Sequence, residues 1–367
     1  MPPQLEQINA QLDGLAALEP TPFPIVSLYL NLQPDQHGRD RFDAFLRKEL
    51  GERLRTYEAN GPQRESLNED CERIRAFVSD VDPSANGLAL FASSGVHLFE
   101  ALQLAAPISE HRLYVSDQPH LYPLARIYDE YPRYAVLHAD TNLSRIFVIA
   151  ANTIESRQQV VGTKTHRTKA GGWSQARYQR HIDNYHLHHI KEVVEVLSGV
   201  VRSDDIRSIV IAGDDVAVPL VKDQLPKELA ERVIDIVKVH EHAADREVFE
   251  ATIDAMREKD RMTDRERVDA LIDAYRANGL AVVGVEETRL ALERGQVDEL
   301  VIAATPETIA TRGAPAHEGR LEPTPNERVA DELVAKARRT SAHVRVIEDA
   351  SLVAAIRGVG AHLRFKL

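Results

Sequence analysis

The sequence predicts a mixed α/β protein of three domains, and three observations predict it. The chain has 367 residues, more than one hydrophobic core usually organises. Short apolar runs of strand length alternate with longer stretches of helical periodicity. The pattern changes at the polar junction Tyr128-Asp129-Glu130-Tyr131-Pro132-Arg133, and a new set of elements begins near Thr263. Boundaries are therefore expected at 1–130, 131–261 and 262–367.

In the first domain, Leu5, Ile8, Leu12 and Leu15 predict an amphipathic helix over 4–18, ended by Pro20, Pro22 and Pro24. Residues 25–30 alternate like a strand. Asp35–Gly38 reads as a turn. Phe42, Phe45, Leu46, Leu50 and Leu54 predict a helix over 39–59, and a further helix is expected over 64–79. Two strands follow, Leu88–Phe91 and Val96–Leu104, and Tyr114–Ile127 reads as mixed and extended. This domain carries no motif tied to chemistry.

The middle domain opens with three strands, Tyr134–His138, Arg145–Ala150 and Ile154–Val161. A long helix is expected from an N-cap at Ser174 to about Val201, with Ile182, Tyr185, His189, Val193 and Leu197 on its apolar face. Then come strand Ile209–Ala212, helix Val216–Leu229, strand Val233–Val239 and helix 244–260. Three early strands followed by alternating helix and strand make a layered α/β fold.

The last domain starts with helix 263–277, from Thr263 as N-cap to Asn278-Gly279 as C-cap. Strand Ala281–Val283, helix Glu286–Arg294 and strand Val297–Ala303 follow. Residues 305–327, rich in Pro, Gly and charge, read as a loop. Helix 329–339, strand Val344–Ile347, a short helix near 351–357 and strand Ala361–Phe365 complete an α/β/α sandwich.

Composition narrows the function. Apolar residues make up 43 % and charged residues 28 %, ordinary for a soluble protein, and the net charge is −12. A general nucleic-acid coat is basic overall, so that class is excluded. Cys71 is the single cysteine, so no internal disulfide forms, which fits a reducing compartment. The first residues lack a secretory pattern and no apolar run reaches membrane-spanning length. A cytoplasmic protein with no membrane partner is expected.

Against this acidic background, residues 157–181 contain Arg157, Lys164, Arg167, Lys169, Arg177 and Arg180 and no carboxylate up to His181. Ala170-Gly171-Gly172-Trp173-Ser174-Gln175 lies in the middle. Two glycines let a backbone approach a substrate closely, and a following helix N-terminus favours phosphate. A local basic loop on an acidic body suits a polyanion touched at one place.

The segment Lys169-Ala170-Gly171-Gly172-Trp173-Ser174-Gln175-Ala176-Arg177-Tyr178-Gln179-Arg180 resembles the Gly-Gly-Gln loop of the archaeo-eukaryotic peptide-chain release factor and Pelota superfamily, in its bacterial branch. Residues 279–303 and the closing Gly358-Val359-Gly360-Ala361-His362-Leu363-Arg364-Phe365-Lys366-Leu367 resemble that family's C-terminal domain. The resemblance covers about 130–367. It implies an RNase H-like middle domain and a ribosomal-protein-like C-terminal sandwich. It implies the ribosome and tRNA as partners, with a translational GTPase as a further candidate. It implies no cofactor, and hydrolysis of the peptidyl-tRNA ester in rescue of stalled complexes as the activity. Stop-codon-reading signatures are absent from the first domain.

On that resemblance, Gly171 and Gly172 admit the tRNA end and Gln175 is the catalytic candidate. Lys164, Arg167, Lys169, Arg177 and Arg180 neutralise RNA phosphates, and Trp173 stacks on a base. Orienting a water against the ester can supply about 7–11 kcal/mol in favourable cases. The sequence departs from the pattern at one position, because Trp173 stands where the family has glutamine. Gln175 then has two readings: a shifted catalytic glutamine, or a helix-N-terminal glutamine without catalytic duty. The second supports a non-catalytic hibernation or recycling factor.

Two other constellations compete. His186 and His189 have metal-ligand spacing on one helix but no third ligand, and His240, His242 and Asp245 form a second weak set, so no metal is expected. Asp140, Asp214 and Asp215 at strand ends suggest an RNase H-like metal nuclease, but the helix-borne acid is missing. Asp214 and Asp215 fit better as the start of a helix.

Overall fold

The computed structural model describes residues 4–34, 42–162, 175–310 and 323–366, without the side chains of 175–183. The fold is mixed α/β, with three sheets among the described residues, and it divides into two compact units, Met1–Tyr131 with Asp264–Leu367, and Pro132–Thr263.

The first unit begins with α1 (Gln4–Ala16), β1 (Ile25–Asn31), α2 (Phe42–Arg55), α3 (Pro62–Val78), β2 (Gly87–Ser93), β3 (Leu98–Leu104), β4 (Arg112–Ser116) and α4 (Tyr122–Glu130). The strands form an antiparallel sheet in the order β3-β2-β1-β4. Period-2 alternation puts Val26, Leu28 and Leu30 on one face, where they meet Leu46, Leu50, Leu67 and Ile74 of α2 and α3. The expected extended segment 114–127 is instead a strand end and a helix. Pro123 suits the first turn of α4, and Tyr122, Leu124, Ala125 and Ile127 are buried. Three residues of the expected polar junction belong to that helix.

The second unit contains β5 (Tyr134–Ala139), β6 (Leu143–Ala150), β7 (Thr153–Val161), α5 (Gln175–Ser203), β8 (Ile209–Gly213), α6 (Ala217–Gln224), α7 (Lys227–Ala230), β9 (Val233–Lys238) and the start of α8 (Asp245–Arg276). The strand order is β7-β6-β5-β8-β9. β5, β6 and β7 form an antiparallel meander, whereas β8 and β9 run parallel to β5. The tight β6–β7 turn places Ala151 and Asn152 at φ 48° and 65°, the left-handed pair that matches strand twist. One sheet face packs Leu137, Ile146, Val148 and Ile211 on Ile190, Val193 and Leu197 of α5. The other packs Val136, Phe147 and Val210 on Val248 and Met256 of α8. Pro226 divides the expected helix 216–229 into α6 and α7.

The expected helices 244–260 and 263–277 are one helix, α8. Thr263 is not an N-cap; its Oγ1 donates to the Lys259 carbonyl at 2.9 Å, one turn back. Past its last residue Arg276 the helix is closed as expected by Asn278, φ 52°, with the Gly279 N–H donating to Ala274 O at 2.8 Å.

The first unit is completed by β10 (Ala281–Val283), α9 (Val285–Glu293), β11 (Val297–Ala303), α10 (Pro325–Arg339), β12 (His343–Ile347), α11 (Ala350–Val353) and β13 (Val359–Leu363). Their sheet order is β10-β13-β11-β12, with β11 parallel to β12. α10 starts four residues before the expected 329, because Thr324 and Glu327 form a reciprocal capping box ahead of the apolar face. Among the described residues no helix is long and apolar enough to cross a membrane.

Candidate functional site

The carboxyl ends of the parallel strands β5, β8 and β9 lie along one edge of the middle sheet, at Ala139, Gly213 and Lys238. Such edges hold ligands in open α/β sheets, because loops from several strands converge there. β7 ends at this edge beside the start of β6, with Val161 opposite Leu143.

Asp140 follows β5 and closes a local turn. Its Oδ1 accepts from the N–H groups of Asn142, at 2.6 Å, and Leu143, at 2.8 Å. Ser144 Oγ donates to Asp140 O at 3.0 Å and receives the Asp140 N–H at 3.3 Å. Ser144 Oγ also meets His189 Nε2 at 3.3 Å. His189 is buried, and burial pushes its pKa below the ordinary 6.5.

Gly162 lies against this cluster. Its N–H donates to Asn142 O at 2.7 Å. A Cβ at 162 would lie 2.7 Å from Tyr185 Oη, 3.1 Å from Asn142 O and 3.2 Å from His189 Nδ1. Tyr185 Oη and His189 Nδ1 are buried and have no hydrogen-bond partner among the described residues. Backbone and side chains thus pinch the chain at Gly162, immediately before residue 163.

A second network fastens the other sheet face to the start of α8. Buried His138 accepts at Nδ1 from Arg145 Nη2 at 3.0 Å, and its Nε2 donates to His240 O at 3.1 Å. Arg145 also donates to Asp245 Oδ1 at 2.5 Å and Ala243 O at 2.6 Å. Arg157 of β7 reaches Asp245 Oδ2 at 2.7 Å. Burial and the adjacent Arg145 guanidinium hold His138 below its ordinary pKa.

Of the site residues expected from sequence, Lys164, Arg167, Lys169, Gly171, Gly172 and Trp173 lie outside the described residues. Gln175, Arg177 and Arg180 lie in α5, with side chains outside the description; Gln175 is the first helical residue. The three candidate nuclease carboxylates are each engaged locally. Asp140 holds its turn, Asp214 Oδ1 accepts from Val216 and Ala217 N–H groups at the start of α6, and Asp215 pairs with Lys238 at 2.8 Å. Among the described residues no group of three or more His, Cys, Asp or Glu is arranged to hold a metal ion. His240 and His242 stack edge to face at 5.7 Å.

The sequence does not by itself single out Gly162, Ser144 or Arg145; Tyr185 and His189 read as members of an apolar face, and His189 also as a weak metal-ligand candidate with His186. The available signals were a glycine just after the end of a strand and polar residues at helical core spacing. Chemically, the described part of this edge offers the Ser144, Tyr185 and His189 hydrogen-bonding groups beside locally engaged carboxylates, and the sequence that follows Gly162 supplies cations.

Residues 119–257 match the family model described as bacterial archaeo-eukaryotic release factor family 10. No curated protein matches the chain. Similar solved structures include an archaeal translation termination factor aRF1, 18 % identical, covering 98 % of this chain and 97 % of that chain with a TM-score of 0.29. Pelota of Archaeoglobus fulgidus is 14 % identical, with 76 % and 79 % covered and a TM-score of 0.37. Dom34 of S. cerevisiae is 9 % identical, with 78 % and 82 % covered and a TM-score of 0.43. The family match contains β5 to β9, α5 and the segment joining β7 to α5. Over residues 119–257 the chain is thus similar to the bacterial branch of the archaeo-eukaryotic release factors.

Proposed function

We propose that the chain is a ribosome-associated, release-factor-like protein that brings the segment around Gly171 and Gly172 to the acceptor end of tRNA and hydrolyses the peptidyl-tRNA ester of stalled complexes. The observation that carries this reading is the continuous family match across sheet, basic segment and α5. Gln175 would orient the attacking water. The basic residues of 164–180 would hold phosphates. Backbone N–H groups could stabilise the oxyanion, at about 3–4 kcal/mol for a well-placed donor. The partners are the ribosome and tRNA, a translational GTPase is a third candidate, and the place of action is the cytoplasm.

The strand order β7-β6-β5-β8-β9, with an antiparallel meander followed by parallel strands, supports an RNase H-like reading of 131–261. Separate sheets within 1–130 and 262–367 support two flanking domains, the last of them ribosomal-protein-like.

A second reading is favoured by one observation: Gln175 is the first residue of α5, the place of a helix-N-terminal glutamine, and on the sequence resemblance Trp173 stands at the family's glutamine position. On this reading the protein occupies the tRNA site without cleavage, as a hibernation or recycling factor.

Peptide release from peptidyl-tRNA on ribosomes, measured for wild type, Gly172→Ala and Gln175→Ala beside co-sedimentation, tests both. Release lost in either variant with sedimentation retained supports hydrolysis. Sedimentation without release supports occupancy. Absence from the ribosome fraction overturns both.

A further inference from the structure

We infer that α10 is a clamp that makes residues 1–131 and 264–367 one mechanical body, whatever the chain binds. The apolar face of α10 buries Ala330, Leu333, Val334 and Ala337. Its polar residues at 327, 331, 338 and 339, near helical spacing, bond instead to the first 131 residues.

The N-terminal half of α10 supplies carboxylates. Glu327, already tied into its own capping box, accepts from Tyr114 Oη at 2.8 Å and Arg112 Nη1 at 3.1 Å. Asp331 receives two donors from the start of α4 and the residues just before it: His120 Nδ1 at 2.5 Å and the Tyr122 N–H at 2.9 Å. His120 is itself buried beneath Tyr114, with ring centroids 4.0 Å apart. Replacing Asp331 would strand two donors in a site with little access to water.

The C-terminal half supplies guanidinia. Arg338 meets Asp13 at 2.7 Å and Asn9 Oδ1 at 2.5 Å. Arg339 donates to the carbonyls of Ala16 and, at 2.8 Å, Leu18, filling the acceptors left open at the end of α1. Acids at the N-terminal half and bases at the C-terminal half also suit the helix dipole. The clamp has support beyond α10. Tyr122 Oη donates to Ala303 O at the end of β11, and the Val346 N–H donates to Asp129 Oδ2 at 2.8 Å. Bonds at both ends of one helix, backbone donors among them, resist hinge opening and sliding alike.

Hydrogen exchange on the full chain tests the clamp. Asp331→Asn is expected to lower amide protection at least tenfold in α10 and, by the same factor within about threefold, in α4 and β4. Arg339→Gln, which leaves the buried pair in place, is expected to lower α1 and the last turn of α10 together, and it stands in if Asp331→Asn does not fold. Loss of protection confined to α10, or no change in α1 and α4 in either variant, overturns the inference.

Discussion

The N–H of Gly162 donates to the carbonyl of Asn142 at 2.7 Å, two residues before Lys164. The bond ties the end of β7 to the turn between β5 and β6. The space on the other side of Gly162 is filled by Tyr185 Oη and His189 Nδ1. Gly162→Ala must therefore displace a helix-borne side chain or break the bond. Overpacking of this kind costs about 1–3 kcal/mol. Urea unfolding of the variant should show a lower midpoint with an unchanged slope. An unshifted midpoint would mean that the pinch relaxes freely.

His138 and His189 are both held below 6.5 by burial, His138 also by Arg145. Each is therefore neutral in the folded state over a pH window in which its unfolded counterpart is protonated. In that window the unfolded state binds more protons, so stability rises with pH. The contribution is fully present above 6.5 and is lost as pH falls through the folded values. Denaturation midpoints at pH 7.5 and 5.5 should differ, with the lower one at pH 5.5. His189→Gln should reduce that difference, since an amide does not titrate there. A difference that survives in both His189→Gln and His138→Gln would assign it to other groups.

How much of this was legible in the sequence depends on the range of the contacts. β1, β5, β8 and β11 were readable because their apolar runs are continuous or strictly alternating. α8 was read as two helices because Thr263 looks like an N-cap, and only its back-bond to Lys259 shows the helix running through. The start of α10 was hidden by the Pro and Thr of its own capping box, which also fit a loop. The basic segment was legible from composition alone. Its anchorage was not, because Ser144 and His189 are 45 residues apart and nothing local marks them as partners. The same holds for His120 and Asp331, 211 residues apart, which join segments that read as separate domains.

Asp245 holds two guanidinia, Arg145 at 2.5 Å and Arg157 at 2.7 Å. Arg145 is the buried one. Asp245→Ala leaves its charge with a carbonyl and a histidine nitrogen but no counter-ion. Breaking a buried pair from one side costs about 3–5 kcal/mol, and the partly exposed carboxylate argues for the lower end. Asp245→Asn, which keeps one acceptor, should cost less. Calorimetric or urea unfolding of both variants orders them; equal and small losses would show that Asp245 contributes little beyond the start of α8.

The basic segment makes a prediction that separates phosphate contact from shape recognition. Lys164, Arg167, Lys169, Arg177 and Arg180 are proposed to neutralise RNA phosphates. Each such contact releases condensed counterions, so the logarithm of the binding constant falls with the logarithm of salt by about 0.7–0.9 per phosphate. Arg167→Gln with Lys169→Gln should then weaken ribosome or tRNA binding and lower the salt slope by about 1.4–1.8. The sequence of the RNA should make little difference to that loss, because phosphates carry no base identity. Trp173→Ala should behave in the opposite way, weakening binding by about 1–3 kcal/mol with the slope unchanged. Binding measured across a salt series for the three proteins checks both. If the double variant keeps the wild-type slope, the cations of this segment do not contact phosphate, and its lack of carboxylates needs another cause.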